Sequence, residues 1–149
     1  MTEAIDKFVN LLNVGFKYTS QSSESEMRQK PSPEKWSKKE ILGHLIDSGI
    51  NNLQRFTEIQ FETKPYKIRT YKQNELIKAN NYQEATLNEL SALWLSINRR
   101  ILTLIKQQTE KTLNYKIEIN NNKISDLRFL ITDYVDHLEH HINQIIKAS

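Results

Sequence analysis

The chain has 149 residues, of which 38% are hydrophobic and 26% charged, a globular balance that fits one domain over residues 1–149. Its 21 basic and 18 acidic side chains leave a net charge of +3. They are interspersed, with no basic stripe, which argues against a nucleic-acid-binding face. The absence of cysteine excludes disulfides and thiolate metal ligands, and three glycines with three prolines are too few for a turn-rich all-β chain. With no apolar signal region at MTEAIDKF and no run of membrane-spanning length, the expected location is the cytoplasm, with no membrane partner.

Residues 3–19 place Ile5, Phe8, Val9, Leu12 and Phe16 at helical spacing and predict an amphipathic helix. The polar stretch QSSESEMRQKPSPEKWS, with Pro31 and Pro33, reads as a loop. Ser37 and Glu40 then form a capping box before a long apolar pattern that runs to about Phe61. Pro65 breaks the pattern across 63–70, and a short helix is expected near 71–80. Asn81 and Glu84 offer another capping start, followed by Leu87, Leu90, Trp94, Ile97, Ile101 and Leu104 at helical spacing. The alternating stretch Tyr115 to Ile124 fits a small hairpin or a structured loop equally. A last helix is expected from about Ser125 to Lys147. Four long amphipathic helices, with a short one between the second and third, predict an all-α four-helix bundle. Because the connection between the second and third helices is long, loop length alone leaves open whether the second helix lies beside the last.

Four histidines fall in two places: His44 on the second helix, and His137, His140 and His141 on the last. At 100° per residue, Leu127, Ile131, Tyr134, Leu138, Ile142 and Ile145 form an apolar stripe. His141 lies roughly 60° and His137 roughly 100° from its centre on one flank, whereas His140 lies nearly opposite and should face solvent. On the second helix Leu42, Leu45, Ile46, Leu53 and Phe56 form the core face, and His44, Ser48, Asn51 and Arg55 make a polar lane beside it. Such a lane is either an ordinary solvated surface or the lining of a cleft. Two histidines one turn apart, with a third from another helix, predict a three-nitrogen site at His44, His137 and His141 with open positions for water. Neutral imidazoles suit zinc, nickel, copper or iron, with zinc and nickel leading the expectation.

Two familiar motifs are absent. His137-Leu138-Glu139-His140-His141 is not H-E-x-x-H, and no glutamate stands three residues before any histidine, which argues against a ferritin-like di-iron site. Arg55 is a candidate catalytic residue that would hold a substrate or cofactor carboxylate. Asp133, one turn before His137, is a candidate to orient an imidazole. Asp47 is expected to point away from the core, about 60° around the helix from His44, leaving no clear general base.

The run EKWSKKEILGHLIDSGINNLQRF, followed by DYVDHLEHHINQI, resembles the DinB-like superfamily over about residues 34–146. Trp36, Ser37, Glu40, His44, Leu45 and Asp47 fit its first motif, with Arg55 following, and His137, His141 and Gln144 fit its second. The resemblance implies an up-down-down-up bundle, a divalent metal on His44, His137 and His141, and frequent homodimers. Relatives so implied include thiol S-transferases and mycothiol-dependent isomerases, and the expected function is a metal-dependent enzyme acting on a small-molecule substrate, a thiol S-transferase or a hydrolase. A thiol-transfer reaction here would need an external low-molecular-weight thiol, since the chain supplies none. The alternatives are a non-catalytic bundle that binds metal or a small molecule, and a structural bundle whose histidines merely pack.

Overall fold

The structure, a computed structural model, describes residues 1–147. Its frame is four long helices: α1 (Thr2–Gln21), α3 (Lys38–Glu58), α5 (Leu87–Lys106) and α7 (Leu127–Lys147). Between them lie α2 (Glu24–Arg28), β1 (Tyr66–Lys67), α4 (Gln73–Asn80), a 3-10 turn (Tyr82–Glu84), α6 (Glu110–Leu113), β2 (Lys116–Ile119) and β3 (Lys123–Asp126).

Residue pairs across the helix contacts fix the bundle's directions. Lys7 of α1 pairs with Asp136 and Glu139 of α7, and Gly15 further along α1 packs near Ile142, so α1 and α7 run parallel. Thr19 meets Ser91 while Gly15 meets Trp94, so α5 runs against α1. Lys39 reaches the Ala85 carbonyl just before α5, and Gly49 packs on Ile97, so α3 runs parallel to α5. The order is therefore up, down, down, up. Helix α3 packs on both α5 and α7, which settles the adjacency that loop length left open. The interior is filled by Phe8, Leu42, Leu45, Trp94, Ile101, Tyr134 and Leu138, all nearly inaccessible. Their burial, at about 25 cal/mol per Å² of apolar surface, is what offsets the conformational entropy lost by the chain.

Local signals account for most helix starts. Ser37 caps α3 by accepting from the Glu40 amide at 3.0 Å, while Glu40 Oε1 accepts from the Ser37 amide at 3.0 Å, the reciprocal box expected. The Asn81–Glu84 start is corrected: Asn81 is left-handed (φ 49°) and closes α4, and Thr86 caps α5 by accepting from the Glu89 amide at 3.2 Å. The loop expected after α1 contains α2, capped by Ser23 and anchored by the fully buried Met27. Five residues are too few to display a helical period, so one buried side chain decides that turn. Phe16 and Phe61, placed on apolar patterns in the sequence, are exposed at 39% and 69%.

Residues 116–126 form a hairpin, Ile117 opposite Ser125, turned by Asn121 and Asn122 at φ 63°. Asparagine tolerates this left-handed backbone better than most residues. Strand β1 adds in parallel to β2, Tyr66 beside Ile117, completing a small sheet. The sheet leads directly into α7, where the Leu127 amide donates to the Tyr115 carbonyl at 2.9 Å. No helix among the described residues is long and apolar enough to cross a membrane.

Candidate metal centre

Helix α3 delivers His44 into the groove between itself and α7, where it is only 1% exposed. Because α7 runs antiparallel to α3, its His137 and His141, one turn apart, meet His44 from the facing side as half-buried groups. The ring centroids lie 5.1 Å (His44–His137), 4.8 Å (His44–His141) and 4.6 Å (His137–His141) apart. One ligand nitrogen from each falls within 4.8 Å of the others, and Nε2 of His44 is 3.1 Å from Nε2 of His137. Bonds of 2.0–2.1 Å to a tetrahedral zinc separate nitrogens by about 3.3 Å, so the cluster has the dimensions of a metal site. His140 is exposed and outside it, as the helical geometry predicts.

The electrostatics agree with a neutral donor set. Burial, reinforced by the neighbouring imidazoles, pushes His44 and His137 down to about 4, and burial also lowers His141. All three are thus uncharged near pH 7, the form in which imidazole binds metals. Gln144 Oε1 lies 2.8 Å from His141 Nδ1. An amide oxygen only accepts, so the proton sits on Nδ1 and the Nε2 lone pair is free. Nδ1 of His44 is buried without a hydrogen-bond partner among the described residues.

Other side chains shape its surroundings. Trp36 lies against His44 with centroids 5.1 Å apart and planes tilted by 36°. Trp36 and Gln144 both line a cleft of about 750 Å³, together with Lys38, Ile41 and Asn74. The cluster therefore borders a space large enough for a small organic molecule. The motif resemblance includes Trp36 and Gln144, but helical spacing assigns neither a role, because neither aromatic stacking nor a hydrogen bond leaves a spacing signature.

Asp47 corrects an expectation. Rather than pointing away, it is 3% exposed, and its Oδ1 accepts from Tyr82 Oη at 2.5 Å and Asn80 Nδ2 at 3.3 Å. Oδ2 is buried with no partner, and burial raises its pKa above the usual carboxylate range against the opposing Tyr82 bond. The 3-10 turn lays Tyr82 over α3 at Gly43, where an added Cβ would stand 2.1 Å from the ring. Helical angles on α3 alone could not reveal this second wall.

Arg55 is not brought to the histidines. Eleven residues beyond His44, about 16 Å along the helix axis, it lines a separate cleft against the sheet. Asp133 is exposed and makes no hydrogen bond to an imidazole among the described residues; its charge acts on Arg55 instead. Thus the structure unites His44, His137 and His141 and leaves Arg55 and Asp133 apart from them.

Comparison with known proteins agrees with the fold. A search of curated protein sequences finds no significant match. YfiT from Bacillus subtilis, described as a probable metal-dependent hydrolase with an unusual four-helix bundle topology, superposes with a TM-score of 0.86 at 20% identity, covering 98% of this chain and 83% of YfiT. A DinB-like protein, YjoA, also from Bacillus subtilis, gives 0.69 at 17% identity over 98% of this chain and 88% of its own. A mycothiol-dependent maleylpyruvate isomerase gives 0.72 at 14% identity, covering 95% of this chain but 58% of the isomerase. At these identities the likeness is one of fold. The family model described as the DinB superfamily matches residues 12–145, most of the sequence, and the chain belongs to that superfamily.

Proposed function

We propose that His44, His137 and His141 bind a divalent metal, zinc or nickel, and that the protein is a metal-dependent enzyme acting on a small molecule in the adjoining cleft. The observation that carries this reading is the convergence of three neutral imidazole nitrogens within 4.8 Å, from two helices, beside an open cleft. A divalent ion held by three uncharged ligands keeps its full charge for whatever else it binds, and it lowers the pKa of water to about 7 and acidifies a thiol.

The protein's own share is positional. Gln144 fixes the His141 tautomer, Trp36 covers His44 from solvent, and the cleft wall of Trp36 and Ile41 offers apolar surface to a substrate. Among the described residues no carboxylate belongs to the histidine cluster, and the buried Asp47 bonds Tyr82 and Asn80 through Oδ1. A site without a base suits a nucleophile acidic enough to ionise on its own, so we favour transfer of an external low-molecular-weight thiol. The likeness in fold to a mycothiol-dependent isomerase supports an external thiol, and that to YfiT, a probable metal-dependent hydrolase, supports hydrolysis as the second reading.

The test is a zinc and nickel titration followed by thermal melting on wild type and His141→Ala. Metal should raise the melting temperature of the wild type alone, since only the native state of the intact triad binds it tightly. Failure of both metals to stabilise the wild type sinks the metal site. With the loaded protein, metal-dependent loss of free thiol in the presence of an aryl halide supports transfer. Hydrolysis of an ester without thiol consumption supports the second reading.

A further inference from the structure

We propose that the cleft between the C-terminal half of α3 and β1 is a binding site for a small oxyanion, a phosphate or a carboxylate, held by Arg55, Lys67 and Arg69. The cleft has a volume of about 260 Å³ and brings these three cations together with the amide side chain of Asn51. That volume lies below the range typical of drug-sized ligands, which fits a phosphate or a short dicarboxylate.

The Arg55 guanidinium is held in place before any ligand arrives. Its Nη1 donates to Asn52 Oδ1 at 3.3 Å, its Nη2 donates to the Arg69 carbonyl at 2.5 Å, and it lies 5.5 Å from the centre of the Tyr71 ring. These contacts use uncharged acceptors. Among the described residues neither Arg55, Lys67 nor Arg69 forms an ion pair with a carboxylate, although five other cationic side chains of the protein do. Glu58, the one acid lining the cleft, accepts from Tyr66 Oη at 2.8 Å and from Gln54 Nε2 at 3.2 Å. Each of its oxygens thus already accepts one bond, and its charge also acts on Arg69.

A half-buried guanidinium without a paired carboxylate is an expensive arrangement, because arginine cannot shed its proton as a histidine can. Burial lowers the Arg55 pKa, partly offset by Tyr71 and Tyr66, while the positive charge of Arg69 lowers it further and Asp133 opposes that. An oxyanion would remove the imbalance, and the planar fork of arginine matches its paired oxygens. Phosphate and carboxylate share this chemistry, so both serve as probes.

The experiment is a titration of the full-length protein with inorganic phosphate and, separately, with succinate, read by backbone amide shifts in the NMR spectrum. Wild type, Arg69→Gln, Arg55→Gln and the remote Arg128→Gln are compared. Saturable shifts centred on residues 51–58 and 66–69, weakened at least about tenfold by Arg69→Gln and unchanged by Arg128→Gln, are expected. The Arg69 side chain is exposed and only its carbonyl holds Arg55, so Arg69→Gln remains informative if Arg55→Gln unfolds. Absence of saturable shifts with either anion at millimolar concentration, shifts centred elsewhere, or an equal loss in Arg128→Gln would overturn the proposal. Binding should survive His141→Ala, which keeps this result separate from the metal reading.

Discussion

The polar lane of α3 solves the burial of basic groups in two ways, one at each end. Near its start, His44 is buried beside two more imidazoles and gives up its charge, its pKa depressed to about 4. Three turns later Arg55 is half-buried and keeps its charge, in direct contact with a carbonyl, an amide oxygen and an aromatic ring. The same lane thus carries a neutral cluster suited to a cation and a charged group suited to an anion. The chemical difference lies in the side chains: imidazole can respond to desolvation by losing a proton, and guanidinium cannot.

Removing a ligand from the neutral end should have the largest effect. His44→Ala is expected to lower zinc affinity beyond the roughly 10–100-fold typical of losing a partner that only supports a ligand, whereas Gln144→Ala should fall inside that range. Competition with a chromogenic chelator distinguishes them, and equal losses would remove the supporting role of Gln144.

The pH dependence of the metal-stripped protein probes the same end. The folded values of about 4 for His44 and His137 lie below the ordinary 6.5. Above pH 6.5 both groups are neutral in either state. Between 6.5 and about 4 the unfolded chain takes up protons that the folded cluster excludes, so their contribution lowers stability as the pH falls, levelling off below about 4. Urea midpoints across this window should fall less steeply in His44→Gln/His137→Gln; parallel curves would place the cause elsewhere.

Packing behind the cluster comes next. Gly43→Ala drives a methyl into the Tyr82 ring and should cost about 1–3 kcal/mol by urea denaturation. Tyr82→Phe, which strips a donor from the buried Asp47, should cost about 1–3 kcal/mol. A neutral result for Gly43→Ala would mean that Tyr82 can shift aside.

At the charged end, Arg55→Met removes the desolvated charge while keeping chain length, and should change stability by no more than about 1 kcal/mol. A larger loss would make Arg55 structural and erase the contrast between the two ends. The smallest effect is expected of His140→Ala: no measurable change in metal affinity, and stability within about 0.5 kcal/mol of wild type.

Much of this was legible without coordinates. Three-to-four spacing of apolar residues marked the four long helices, the Ser37–Glu40 box marked the start of α3, and angles on α7 separated His137 and His141 from His140. These features lie within one helix, where a fixed 100° per residue converts spacing into direction. Motif resemblance added the pairing of His44 with the C-terminal histidines and the up-down-down-up order, which loop lengths alone left open.

What the sequence by itself determined was the set of amphipathic helices and the flank on which each histidine sits. The tertiary structure decided what faces those flanks. It turned Asp47 inward, because Tyr82 arrives from a 3-10 turn that no periodicity announces. It laid Trp36 on His44, tied Gln144 to His141, and set Arg55 against a strand of two residues. Each of these is a contact between segments with no shared period, so it exists only once the packed core fixes where the separate segments meet.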